Sequence, residues 1–217
     1  MADVHAQRMD RMYRHQRHLY DATRKWYLFG RDTLIAGLDP PSGAHVCEVG
    51  CGTARNLVQI ARRYPWTRLY GLDASGEMLK SAADKVARAG LEARIALRAG
   101  LAERLDPAAT FGVAHGFDVV VLSYVLSMVP DWPAALAASV RALRPGGALE
   151  LVDFGPIERL PWPLAEGLRA WLKRFGVTPR PQIAERLRAL AAEGAGHAEV
   201  ATILGGYAIL GRFVRAA

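Results

Sequence analysis

Cysteine is scarce in this chain: two in 217 residues, Cys47 and Cys51. They offer no disulfide framework, which points to a reducing, cytoplasmic setting. With no histidine clustered beside them they also make a poor zinc site, so no metal is expected. No apolar run approaches the roughly eighteen residues needed to span a bilayer, and the polar first residues lack a secretory h-region. The phosphate-gripping pattern G-x-x-x-x-G-K-[ST] is absent. Acidic residues are in deficit, 21 against 28 basic, which leaves a net charge of +7. That excess fits an anionic surface or partner, or a basic face that only aids solubility.

What is present is ordinary globular material, 51% hydrophobic and 23% charged, in a length that suits one folded unit with a substantial core. Residues 1–38 form a first segment, free of glycine and proline up to Gly30. Met9, Met12, Tyr13, Gln16, Tyr20, Thr23 and Tyr27 fall near one helical stripe. Residues 1–36 carry seven Arg or Lys against four Asp or Glu, and three of the six histidines. Such a helix can cover a site, lie on a membrane surface, or pack its aromatics into a core. Gly37 to Gly43, with Pro40 and Pro41, reads as a linker into a second unit, 39–217.

That unit alternates strand and helix. Strands are expected at His45–Val49, Arg68–Leu72, Ala93–Arg98, Phe117–Ser123 and Ala148–Val152. Helices are expected at Ala54–Tyr64, Gly76–Ala89 and Pro133–Ala142, with a loop over 106–116. The continuously apolar Phe117–Ser123 suits a strand buried on both faces. This β-α-β-α order is that of a doubly wound, mostly parallel sheet. Helices near Leu164–Phe175 and Ile183–Glu193 follow. Two β-like runs, Glu199–Leu204 and Tyr207–Val214, form a hairpin at the sheet edge around Gly205-Gly206.

The chain is organised around Val46-Cys47-Glu48-Val49-Gly50-Cys51-Gly52-Thr53-Ala54-Arg55-Asn56, a strand, a glycine turn and a helix. The glycines allow ligand to lie against bare backbone, and Thr53 is placed to cap the helix over a small electropositive site. A dinucleotide turn would need G-x-G-x-x-G; the third glycine is missing. Two acidic residues end strands instead: Glu48, and Asp73, where a carboxylate can accept both ribose hydroxyls. A ligand with a ribose and an amino-acid end, but no phosphate, fits best.

The segments Glu48–Ala54, Leu72-Asp73-Ala74-Ser75-Gly76-Glu77-Met78-Leu79, Phe117–Val120 and Leu143-Arg144-Pro145-Gly146-Gly147 together resemble the class I S-adenosylmethionine-dependent methyltransferases, over about 45–153. The resemblance implies a seven-stranded sheet with an antiparallel last strand, and S-adenosylmethionine as methyl donor, leaving S-adenosylhomocysteine. It also implies a cofactor site of Arg31, Glu48, Gly50, Cys51, Gly52, Thr53, Asn56, Asp73, Ala74, Met78, Leu101, Ala102 and Ser123. Arg31 would face the cofactor carboxylate, Asp73 the ribose, and Ala74 and Met78 the adenine. Leu101 stands where the family usually has an Asp beside the adenine.

The segments Met9–Asp21, Thr23–Tyr27, Gly30-Arg31-Asp32, Ser123-Tyr124, Leu126–Met128, Val152–Gly155 and Trp171-Leu172 resemble the bacterial diacylglyceryl-homoserine N-methyltransferases of betaine-lipid synthesis. The related phosphatidylethanolamine N-methyltransferases match the first segment less well. That likeness implies a lipid-headgroup amine as acceptor, and peripheral association with an anionic membrane at the inner face of the cell membrane. Tyr13, Tyr20, Tyr27 and Tyr124 can surround the ammonium by cation–π contact. Arg24 or Arg180 can meet the homoserine carboxylate. His15, Tyr20 or Asp153 can assist proton loss, with Asp153 also counted among substrate contacts and Tyr124 among catalytic ones. Basic residues at Lys173-Arg174, Arg186 and Arg188 suit anionic headgroups. Ser123-Tyr124-Val125-Leu126 departs from the [DNS]-P-P-[YFW] of enzymes that methylate nucleobase amines, so no nucleic-acid substrate is expected. A soluble quinone precursor or natural product is the alternative acceptor, and an RNA-binding methyltransferase-like protein is a third reading.

Overall fold

A computed structural model of the chain describes residues 28–157, 162–174 and 177–217. Tyr13, His15, Tyr20, Arg24 and Tyr27, with the rest of the aromatic and basic stretch before Leu28, lie outside the described residues. The described elements run α1 (Arg31–Gly37), β1 (His45–Val49), α2 (Arg55–Arg63), β2 (Arg68–Asp73), α3 (Gly76–Arg88), β3 (Ile95–Ala99) and α4 (Pro107–Phe111). They continue with β4 (Phe117–Ser123), α5 (Trp132–Arg141), β5 (Leu143–Phe154), α6 (Trp162–Arg174), α7 (Gln182–Ala192), β6 (Gly196–Ile203) and β7 (Ala208–Arg215).

The strands form one seven-stranded sheet in the order β3-β2-β1-β4-β5-β7-β6. β1, β2, β3, β4 and β5 pair in parallel. β7 runs antiparallel between β5 and β6. The C-terminal hairpin is therefore present as expected, with β7 inserted and β6 forming the edge. The apolar run of β4 divides by its two-residue period. Val119 and Val121 pack with Val46, Leu57 and Ile60 on one face. Val120 and Leu122 pack with Leu136, Leu149 and Leu187 on the other, and Phe117 joins them because the register irregularity before Val119 breaks the alternation there.

Two expectations are corrected. The stretch 106–116 holds a short helix, because Asp106 accepts from the Ala109 amide at 2.8 Å and Pro107 opens the first turn. β5 begins at Leu143, not Ala148, through a register irregularity between Phe117 and Val119. The Arg144 guanidinium meets Asp118 at 2.6 Å, while the other Asp118 oxygen accepts from the His45 amide at 2.7 Å. That carboxylate draws the Arg144-Pro145-Gly146-Gly147 stretch onto the amino ends of β1 and β4. Its role is to join strands, far from the ligand edge.

Candidate active site

The carboxyl ends of β1, β2, β3 and β4 open onto one cleft, where ligands bind in a doubly wound sheet. The glycine turn forms its floor. Gly50 has φ 69°, and a β-carbon there would lie 2.1 Å from Val125 Cγ2. The turn's amides are already engaged. Gly50 and Cys51 donate to Leu72 O at 2.7 and 3.0 Å. Gly52 donates to Asp73 Oδ2 at 2.7 Å, and Asp73 Oδ1 accepts from the Ser75 amide at 2.9 Å. The turn is thus a clamp on the end of β2, which corrects the expectation of an electropositive, anion-ready site. It aims Asp73 into the cleft.

Thr53 does not cap α2. The N-cap is Ala54, held left-handed at φ 59° with no side-chain cap bond, and Thr53 Oγ1 accepts from Lys85 Nζ at 2.8 Å. Cys51 is buried, and its thiol is pushed up by burial, so it packs and does not react.

One end of the cleft gathers Leu28, Arg31, Glu48, Cys51, Arg55 and Asn56. Glu48 is 2% exposed. Its Oε1 accepts from Asn56 Nδ2 at 2.7 Å, and its Oε2 is buried without a hydrogen-bond partner. Burial pushes this carboxyl up to about 8, against the lowering effects of the Asn56 bond and the Arg31 charge. Asn56 is oriented in turn by Arg55, whose guanidinium also pairs with Asp32 at 3.0 Å.

The other end is lined by Ala74, Met78, Leu101, Ala102 and Glu103. Met78 is fixed by its amide donating to the α3 cap Ser75 at 3.3 Å. Glu103 was not singled out from the sequence. The 3₁₀ turn Ala102–Arg104 brings it to the cleft two residues after Leu101. Ser123 lies between the two ends, with a buried, unpartnered Oγ.

Tyr124, Val125, Met128 and Val129 build the remaining wall. Tyr124 holds φ 56°, a costly conformation for a bulky residue. Its hydroxyl donates to Phe29 O at 2.5 Å, and burial raises its pKa. The phenol therefore stays protonated, and Tyr124 forms the wall in place of acting as a base.

Asp153 and Arg180 are not among the residues lining the cleft. Asp153 is 1% exposed and accepts from the Ser127 and Phe154 amides at 3.1 and 2.8 Å. It anchors the Tyr124–Val129 loop from beneath, which corrects its expected role as a substrate contact. Arg180 has a buried, unpartnered Nε, and its carbonyl accepts from the Ile183 amide at 3.0 Å. Arg186 pairs with Glu193 at 3.0 Å on α7. The side chains of Lys173 and Arg174 lie outside the described residues. No group of three or more metal-ligating side chains occurs among the described residues.

A family model described as a methyltransferase domain matches residues 46–147. The chain is 33% identical over 157 residues to the phosphatidylethanolamine N-methyltransferase of Cereibacter sphaeroides, covering 66% of this chain and 73% of that protein. The chain belongs to the S-adenosylmethionine-dependent methyltransferases. The methyltransferase is also 33% identical over 141 residues to nocamycin O-methyltransferase of Saccharothrix syringae, covering 64% of this chain but only 48% of that one. Among solved structures, the S-adenosylmethionine-dependent methyltransferase SibL shares the fold at a TM-score of 0.67 and 23% identity, over 92% of this chain and 58% of that one.

The cleft of the methyltransferase fits the cofactor. The bare Gly50 floor, the unpartnered Glu48 Oε2 and Ser123 Oγ, and the aimed Asp73 carboxylate supply the contacts that a ribose-bearing amino acid requires. If S-adenosylmethionine occupies this cleft, Glu48 and Arg31 would meet its amino-acid end, Asp73 its ribose, and Met78, Leu101 and Ala102 its base. When bound, S-adenosylmethionine supplies an electrophilic methyl carbon on a sulfonium.

Proposed function

We propose that this methyltransferase transfers methyl groups to the amine of a membrane-lipid headgroup, with diacylglyceryl-homoserine as acceptor and its trimethylated betaine lipid as product. The observation that carries an amine acceptor is the wall facing it. Tyr124, Val125, Met128 and Val129 offer desolvation and a neutral phenol. A headgroup ammonium must lose a proton before its lone pair attacks; a desolvating wall favours the neutral amine, and in-line attack then gains chiefly from positioning and exclusion of water. The face of Tyr124 suits the ammonium that builds up over successive transfers, at about 1 kcal/mol for a desolvated cation–π contact.

A lipid acceptor is supported by the likeness to a phosphatidylethanolamine N-methyltransferase and by the net charge of +7, which suits anionic headgroups. On this reading the segment before residue 39 serves as substrate lid and membrane contact, and the enzyme sits peripherally on the inner face of the cell membrane. No described helix is long and apolar enough to cross a bilayer. The likeness to nocamycin O-methyltransferase favours a second reading, a soluble small-molecule acceptor.

The test presents purified enzyme and methyl-labelled donor with detergent micelles of diacylglyceryl-homoserine or phosphatidylethanolamine, and with soluble phenols. Label in the homoserine lipid is expected. Label confined to a soluble phenol overturns the proposal.

A further inference from the structure

Beyond Asp73, the end of the cleft that would take the base is apolar almost throughout. Ala74, Met78, Gly100, Leu101 and Ala102 line it with methyl groups, a thioether and bare backbone. Glu103 is the exception: at this end it is the lining side chain that carries oxygen. The chain brings it there in two steps. After β3 the Gly100 amide donates to Asp73 O at 3.0 Å, which holds the strand exit beside the Asp73 carboxylate. A β-carbon on Gly100 would lie 2.7 Å from Leu72 Cδ1, so the backbone crosses close over the end of β2. The Arg104 amide then donates to Leu101 O at 3.0 Å and closes the 3₁₀ turn. Ala102 and Leu105 are buried under that turn, and Glu103 is left half-buried at the cleft.

The fold makes no use of the Glu103 carboxylate. Among the described residues it has neither a hydrogen bond nor an ion pair. The other carboxylates of the cleft are tied down. Asp73 accepts from the Gly52 and Ser75 amides, and Glu48 accepts from Asn56. The Ala102 amide stands beside Glu103 at the head of the 3₁₀ turn, where an N–H has no partner within the helix. One acceptor and one donor are therefore adjacent on an otherwise apolar wall.

We infer that Glu103 selects the base of the methyl donor. Its carboxylate accepts from the 6-amino group of adenine, while the Ala102 amide donates to ring N1. A carboxylate oxygen only accepts and an amide N–H only donates, so the pair matches a 6-aminopurine. A 6-oxopurine reverses both polarities: its O6 faces the carboxylate and its N1–H faces the amide. Met78, 2% exposed, and Leu101 offer no polar group to relieve that mismatch. Sites built to hydrogen-bond one ligand reject its mismatched analogue because their own polar groups are left unpaired. This selection acts on the donor and is independent of which acceptor the enzyme methylates.

The experiment measures calorimetric affinity of the full chain for S-adenosylhomocysteine and for its 6-oxo counterpart, S-inosylhomocysteine. The wild type should prefer the amino form by roughly tenfold or more. Glu103→Gln keeps the shape and adds an N–H donor that can meet O6, so the preference should shrink to about threefold or less. Glu103→Ala should weaken the amino ligand and leave the 6-oxo ligand bound no more weakly than in the wild type. Opposite responses of the two ligands mark base selection, since a structural fault would weaken both alike. Equal loss of both ligands overturns the inference, as does a preference unchanged in the variants. Absence of any preference in the wild type overturns it too.

Discussion

Glu48 is expected to make cofactor binding a proton-linked event. Its carboxyl is pushed up to about 8 by burial, so at pH 7 roughly nine molecules in ten carry it neutral in the ligand-free enzyme. With Glu48 at the cofactor's amino-acid end, the ammonium of S-adenosylhomocysteine would pair with the ionised form through Oε2, which is buried without a hydrogen-bond partner. Apparent affinity then scales with the ionised fraction, rising about tenfold from pH 6 to 7 and about fivefold from pH 7 to 8. Nearly one proton is released per ligand at pH 7. Calorimetry in two buffers of different ionisation enthalpy measures both quantities. Glu48→Gln should abolish the proton release and bind, at pH 8, only about as well as the wild type at pH 6. The linkage has a stability counterpart. A carboxyl whose folded pKa is raised binds more protons folded than unfolded, so the ligand-free enzyme loses stability as pH climbs from about 4.5 toward 8. Glu48→Gln should flatten that part of the thermal-stability profile. Affinity independent of pH over this range, with no proton released, would refute the reasoning.

Three further outcomes follow from the geometry. Gly50→Ala places a methyl 2.1 Å from Val125 Cγ2 at a φ of 69°, and should weaken S-adenosylhomocysteine binding at least tenfold by calorimetry while the protein remains folded by circular dichroism. Tyr124→Phe removes the bond to Phe29 O, and should cost about 1 kcal/mol in denaturant unfolding. Acceptor KM should rise in that variant more than cofactor affinity falls. Asp153→Ala strands the Ser127 and Phe154 amides, and should destabilise by roughly 2–4 kcal/mol; acceptor KM should rise with the loosened loop.

The parallel core was legible because its signals are local. The bounds of β1 and β4 follow directly from apolar runs with a turn or polar residue at each end. Asp73 and the glycine pair announce a ribose-bearing ligand through spacing alone. What was not legible depends on partners distant in the chain. Thr53 reads as a helix cap until Lys85, thirty-two residues on, is found to hold its hydroxyl. Asp153 reads as a strand-end ligand until the Ser127 amide is found over it. The amides of the glycine turn read as free until the end of β2 takes them. Glu103 could have been noticed as the next carboxylate after Leu101, but only the 3₁₀ turn explains why it reaches the cleft. The short helix at Pro107 is the exception, since its aspartate, proline and closing glycine are a local signal of a helix where a loop is expected.

The central claim, methyl transfer to a lipid-headgroup amine, is tested most directly by mass spectrometry of lipids from a host that makes this protein and is supplied with diacylglyceryl-homoserine. The account predicts accumulation of the trimethylated homoserine lipid, lost in the Gly50→Ala variant. An unchanged lipid profile, with a methylated quinone or other small molecule in its place, would contradict it.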